Sequence, residues 1–206
     1  MITISEDWIE GLISYYERFP QLAEKAAILA VNTIAPKIKT YAAKDMQSKI
    51  NLPPEELGPA RFKISTMATA TSREAVIRAD PNPLGMSRFV KGNKVAGAKY
   101  PVTQIKRNGA THTWGSNTPG GDYAFLIATP NGNAGVALAL RTNRPITNSH
   151  KAKLIKATAK SYLYIIYGPS TSQMFGQLSP GYLPKIGLDL QAEFARQFAR
   201  LQNERS

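Results

Sequence analysis

The chain has 206 residues, 43% of them hydrophobic, with 26 Lys/Arg against 14 Asp/Glu, two His and no Cys. That length buries a core without covalent staples, and the missing thiols exclude disulfides, Cys-ligated zinc and cysteine nucleophiles. No apolar run approaches the ~18 residues of a spanning helix, and Met1–Asp7 lacks the basic start of a secretion signal, so a cytoplasmic site of synthesis is expected.

Ser5 is placed to cap a first helix, with Glu6 and Asp7 in the turn where the helix dipole favours acids. Trp8, Leu12, Tyr16 and Phe19 then share one helical face. A second helix is expected from Gln21 to about Ile50, on a stripe of Leu22, Ala26, Leu29, Thr33, Ile38, Tyr41 and Met46. Pro36 should kink or interrupt it. The Leu52–Pro59 stretch reads as a rigid loop that ends the helical part.

Beyond that loop the period shortens. Glu74–Ala79 and Tyr100–Lys106 read as strands, the latter paired with Thr111–Trp114 through a turn at Asn108 and Gly109. Tyr123–Thr129 and Ala134–Leu140 form a second hairpin pattern around Pro130–Asn133. Pro81–Lys99 has few periodic apolar residues and reads as a long exposed loop. Ser161–Tyr167 reads as a buried strand broken by Gly168–Ser170, after which Ser170 or Thr171 caps a short helix through Met174 and Phe175. Lys151–Lys160 is open to a helical reading. Asp189 is a cap candidate for a last helix on which Leu190, Phe194, Phe198 and Leu201 share a face. The fold class is α+β: N-terminal helices, a mostly antiparallel sheet and a C-terminal amphipathic helix. The expected division is a helical arm, 1–58, and a core domain, 59–206, with loop 81–99 exposed.

Chemistry finds little to work with. His112 and His150 have no second ligand at metal spacing. Glu74, Asp80 and Asp122 show no paired-carboxylate spacing. Gly120 and Gly121 precede no phosphate-binding lysine, and Ser170 lacks the flanking glycines of a nucleophile elbow. Hence no catalytic, cofactor or metal residue is assigned, and the chain is not read as an enzyme.

The net charge of +12 is unevenly placed: residues 1–60 carry −2, 61–160 carry +13 and 161–206 carry +1. A basic field of this size attracts nucleic acid, an acidic protein surface or lipid head groups. Two clusters are the candidate contacts: Arg88, Lys91, Lys94 and Lys99, then Arg141, Arg144, Lys151, Lys153, Lys156 and Lys160. Few aromatics interleave with them, so stacking on single strands and groove reading are unsupported. Non-specific contact with duplex phosphates stays open.

From Leu138 to Phe175 the residues run Leu138-Ala139-Leu140-Arg141-Thr142 with Pro145, then Tyr167-Gly168-Pro169-Ser170 with Met174-Phe175. Glu193-Phe194-Ala195-Arg196-Gln197 follows, with looser pieces at Ala30-Val31-Asn32, Ile50–Pro53 and Ser87–Phe89. This order resembles the minor tail protein Z family of tailed bacteriophages and prophages. The resemblance implies a structural virion protein at the head-proximal end of the tail, acting in tail completion, termination or a neck ring. It implies a homo-oligomeric ring, as in related sixfold assemblies, with other tail and neck proteins as partners; the basic middle predicts that these neighbours are acidic, and no membrane partner is expected. Loop Pro81–Lys99 and helical residues 1–50 are the expected subunit contacts, since an interrupted helix and a long loop bury little within one domain. The other reading is a non-specific DNA-binding module at the end of the packaged genome.

Overall fold

The computed structural model describes residues 1–9, 12–92, 94–115, 122–129, 135–147 and 151–204. In chain order these form Ile2–Ser5 (β1), Leu12–Arg18 (α1), Pro20–Lys49 (α2), Phe62–Thr66 (β2), Glu74–Ala79 (β3), Pro83–Gly85 (β4) and Val102–Thr103 (β5). There follow His112–Thr113 (β6), Tyr123–Ala128 (β7), Val136–Thr142 (β8), Ala152–Thr158 (β9), Ser161–Ser170 (β10), Thr171–Leu178 (α3) and Leu183–Asn203 (α4). The class is α+β. The chain divides into two compact units: Met1–Met46, Glu55–Asp80 and Ser172–Ser206 form the first, Gln47–Pro54 and Pro81–Thr171 the second. The boundary expected at residue 58 differs from this division, because the N-terminal helices share a core with elements from the middle and the end of the chain.

In the first unit a three-stranded antiparallel sheet has the order β1-β3-β2. Ser5 ends a strand here, paired with Glu74, and its side chain caps no helix. Helix α2 runs 30 residues without a break at Pro36. Pro36 is exposed, so the carbonyl it leaves without an amide donor is on the solvent side. Of the expected stripe Leu22, Ala26, Ile38 and Met46 are buried and Leu29 and Thr33 half-buried, but the buried face is wider than that stripe and leaves out Tyr41. Ala23, Ala26, Ala27, Ala30, Ile34, Ala35, Ile38 and Ala42 are buried, whereas Tyr41 is exposed. Alanine dominates because small side chains let neighbouring backbone approach closely. Asn32 fastens the β2–β3 connection to this helix: its Oδ1 accepts from Ala68 N at 2.7 Å and its Nδ2 donates to Ala68 O at 2.9 Å.

α4 begins at Leu183, six residues before the expected cap, with Pro184 in its first turn, where no amide donor is needed. Asp189 instead pairs with Lys185, 2.8 Å away. The expected face is buried as read, extended by Ile186. Phe194 and Phe198 meet Tyr15 edge to face, and Phe175 meets Phe62 at 5.0 Å. Of the first expected stripe, Leu12 is buried and Phe19 is 45% exposed. The side chain of Trp8 lies outside the described residues.

The second unit is built on a five-stranded antiparallel sheet in which β7-β8-β10 run side by side and β10 also pairs β4 and β9. β7 and β8 pair from Tyr123↔Arg141 to Ala128↔Val136, the expected hairpin, with the second strand running two residues further, to Thr142; the turn residues 130–133 lie outside the described residues. The Asn108–Gly109 hairpin forms, but its strands shrink to two residues each. Lys151–Lys160 is no helix. Ala152–Thr158 folds back on β10, and Thr158 Oγ1 accepts from Ser161 N at 3.1 Å to close the turn. β10 is not broken at Gly168 either. It continues to Ser170, with an irregularity between Tyr167 and Ser170 that takes up Pro169, which has no donor for a ladder.

Candidate interaction surface

Every one of the ten cations singled out for partner contacts belongs to the second unit. Loop 81–99 divides in two. Leu84, Met86, Ser87, Phe89 and Val90 are buried, and the Ser87 hydroxyl donates to Val136 O at 2.8 Å. This half is core. The apolar residues there do not alternate because they enter through a three-residue strand and a 3-10 turn, Met86–Phe89. Arg88 is half-buried on that turn, and its carbonyl accepts from Lys94 Nζ at 3.0 Å. Lys91, Lys94 and Lys99 are exposed. Arg141, exposed on β8, lies over the Tyr123 ring at 5.7 Å. Arg144 is 80% exposed and 3.9 Å from Asp122. Lys151 and Lys153 are exposed at the start of β9.

These side chains sit in a unit with an extreme balance: 13 Lys/Arg and a single carboxylate, Asp122. One carboxylate cannot neutralise that field, and exposed ammonium groups keep their hydration and their reach. The expectation that 61–160 forms one basic block is refined here, since Arg61, Lys63, Arg73 and Arg78 belong to the first unit.

Arg107 was not singled out in the sequence, where it reads only as a turn flank. Its amide donates to Lys49 O at 2.9 Å and its Nε to Gln47 O at 2.6 Å, so it satisfies carbonyls at the C-terminal end of α2. Gln104 Nε2 donates to Arg107 O and Gly109 O and closes the same turn. Asn51, Lys91, Gln104, Arg107 and Asn108 line a cleft of about 510 Å³ with polar walls. Two cations and three amides suit an anion.

The residues carrying the family resemblance have packing roles. A Cβ on Gly168 would stand 2.8 Å from Phe89 Cε2, and Phe89 is fully buried. Tyr167 pairs with Gly85 on β4, and Ser170 is buried with Pro83 as its strand partner. Met174 and Phe175 are buried in the first unit. Ser170 therefore ends a strand and is no exposed nucleophile. His112 is exposed against Trp114, whose Nε1 donates to Thr103 Oγ1 at 2.8 Å; His150 lies outside the described residues. Among the described residues no three His, Asp or Glu side chains cluster as a metal site, and no helix is long and apolar enough to cross a membrane.

No protein-family model matches this chain, and no curated protein or solved structure is significantly similar to it.

Proposed function

We propose that this chain is a structural, non-enzymatic virion protein of the head-proximal phage tail, a completion, terminator or neck-ring subunit that joins tail to head. Its second unit presents a basic face to acidic neighbouring proteins. The observation that carries the docking role is the charge division. The whole excess of +12 falls on the second unit, while the first carries 13 cations and 13 carboxylates. On this reading the balanced unit serves as the scaffold and the charged one meets a partner of opposite sign. The particle role rests on the resemblance from Leu138 to Phe175. The candidate subunit contacts narrow to the exposed side of α2 and to the exposed residues Lys91, Lys94, Val95 and Lys99 of the loop, since Leu84, Met86, Ser87, Phe89 and Val90 are core.

A DNA-binding module at the genome end is the second reading, favoured by the exposed lysines of β9 and the cleft at Lys91 and Arg107. A conduit that gripped phosphates would retard DNA. Electron microscopy of phage with an early stop codon in this gene tests the proposal. Full heads separate from finished tails, or tails of abnormal length, are expected. Normally joined particles would refute the particle role. Lys91→Glu with Lys94→Glu should impair joining and leave tube length unchanged. The DNA reading requires instead that purified protein bind duplex DNA with an affinity that falls steeply with salt.

A further inference from the structure

The sheet of the second unit has two long outer strands, β7 and β9, and the chain treats them differently. The outer edge of β7 is covered. Gly97 N donates to Leu126 O at 2.6 Å, Leu126 N to Ala98 O at 2.9 Å and Tyr100 N to Ala124 O at 2.9 Å. β9 pairs with β10 on its inner side. Among the described residues, no backbone hydrogen bond reaches its outer edge.

β9 is also bare on both faces. Every residue from Lys153 to Thr158 is exposed, and Leu154 and Ile155 are each 47% exposed. Two aliphatic side chains on a free edge invite pairing with another chain. Two features restrict which chain. Lys153 and Lys156 lie within the strand and Lys151 and Lys160 flank it. The ladder to β10 is irregular at Ile155, between the pairs Tyr164↔Leu154 and Leu163↔Lys156. Pairing two copies of this edge would set lysines beside lysines, which is unfavourable. An acidic strand meets no such penalty.

We propose that β9 is the docking edge for an extended acidic segment of a partner protein, which adds to the sheet as a further strand. Its backbone takes the unused donors and acceptors of β9, its carboxylates meet Lys153 and Lys156, and its apolar side chains cover Leu154 and Ile155. This names the contact for the acidic neighbour proposed above. It rests on that part of the reading and not on a place in a particle.

The test uses the full chain and a synthetic ten-residue peptide alternating Glu and Val. A control peptide has Pro in place of Val, and a short DNA duplex is the second probe. Calorimetry measures binding, and residue-resolved amide exchange locates it. The alternating peptide should slow exchange across 152–158, and Lys153→Glu with Lys156→Glu should weaken it roughly tenfold or more. If that variant misfolds, Lys153→Gln with Lys156→Gln should weaken binding several-fold. Equal binding of the proline control would overturn strand addition in favour of plain charge attraction. Protection at any other site, no binding at all, or protection of 152–158 by DNA alone would overturn it too. Normal particles from the stop-codon phage would remove the particle role and leave this edge standing.

Discussion

The two units carry the same number of cations and use them in opposite ways. In the first, each of several cations is set against carboxylates. Arg61 bonds Glu56 and Asp80, each at 2.9 Å, and Arg73 reaches Glu6 at 2.9 Å and Glu24 at 3.3 Å. Glu193, buried on α4, accepts from Arg196 and Gln197 and lies 4.0 Å from Lys37. In the second unit the only carboxylate, Asp122, stands 3.9 Å from an arginine that is 80% exposed. Charge in the first unit ties helices to strands. Charge in the second is left over from folding, and that surplus is what the proposed acidic partner would meet.

The comparison breaks hardest at the two cores. Phe175→Ala deletes a fully buried ring packed on Phe62 and should cost about 3–5 kcal/mol. Gly168→Ala drives a methyl group into the ring of Phe89 and should cost about 1–3 kcal/mol. Denaturant unfolding followed by residue-resolved amide exchange separates the two. The Phe175 variant should weaken protection in β3 and α4 first, and the Gly168 variant in β8 and β10. Equal loss everywhere in both would mean that the units unfold as one.

A middle-sized effect sharpens the role of charge. The Glu193 carboxyl is held below the ordinary carboxylate range, chiefly by its bonds from Arg196, then Gln197, against an opposing push from burial. Folded protein therefore binds that proton more weakly than unfolded chain does. The stability this confers is complete above the ordinary value, near 4.3, and drains as pH falls through it and then through the lowered folded value. Glu193→Gln should cost about 1 kcal/mol at neutral pH and flatten the acid limb of the stability curve. Tyr16 and Tyr182 work in the other direction. Burial first, then hydrogen bonds to Glu6 and Asp45, pushes both phenols well above their usual value. Their contribution is complete below about pH 10 and is lost above it. Tyr182→Phe should blunt that alkaline loss, and an unchanged alkaline limb would refute the assignment.

The sequence was most legible where one periodicity covered a whole element. Glu74–Ala79 alternates and forms β3 with those bounds, Tyr123–Ala128 and Val136–Thr142 pair as read, and Leu190, Phe194, Phe198 and Leu201 bury together. It misled where exposure is symmetric. β9 is exposed on both faces, so it has no alternation to betray a strand, and its lysines read equally well as a helix. α2 misled only in part, and for the reverse reason. Its buried face is mostly alanine, while the larger Tyr41 that drew attention is exposed. Of the cations singled out, all but the half-buried Arg88 are exposed. Their common unit was hidden because Gln47–Pro54 and Pro81–Thr171 join only in three dimensions, leaving the paired Arg61 and Arg73 in the other unit. Arg107 was missed because its bonds to Gln47 and Lys49 span about sixty positions of sequence.

The smallest expected effect separates the two uses of charge most directly, because it compares one substitution type across the units. Arg61→Gln removes the guanidinium between buried Glu56 and Asp80, and should destabilise by about 1–3 kcal/mol. Lys153→Gln with Lys156→Gln takes two exposed cations from a unit with 13 Lys/Arg and one Asp. Relief of like-charge repulsion offsets whatever the side chains contribute to β9, so the change should stay within about 0.5 kcal/mol of zero. Added salt should narrow that difference further, since a Debye length near 8 Å at physiological ionic strength already screens exposed pairs. Urea unfolding at low and high salt measures both variants on one scale. A loss at the lysine pair as large as at Arg61 would mean that the basic face is held in place by the fold itself, and a partner would then have no surplus charge to meet.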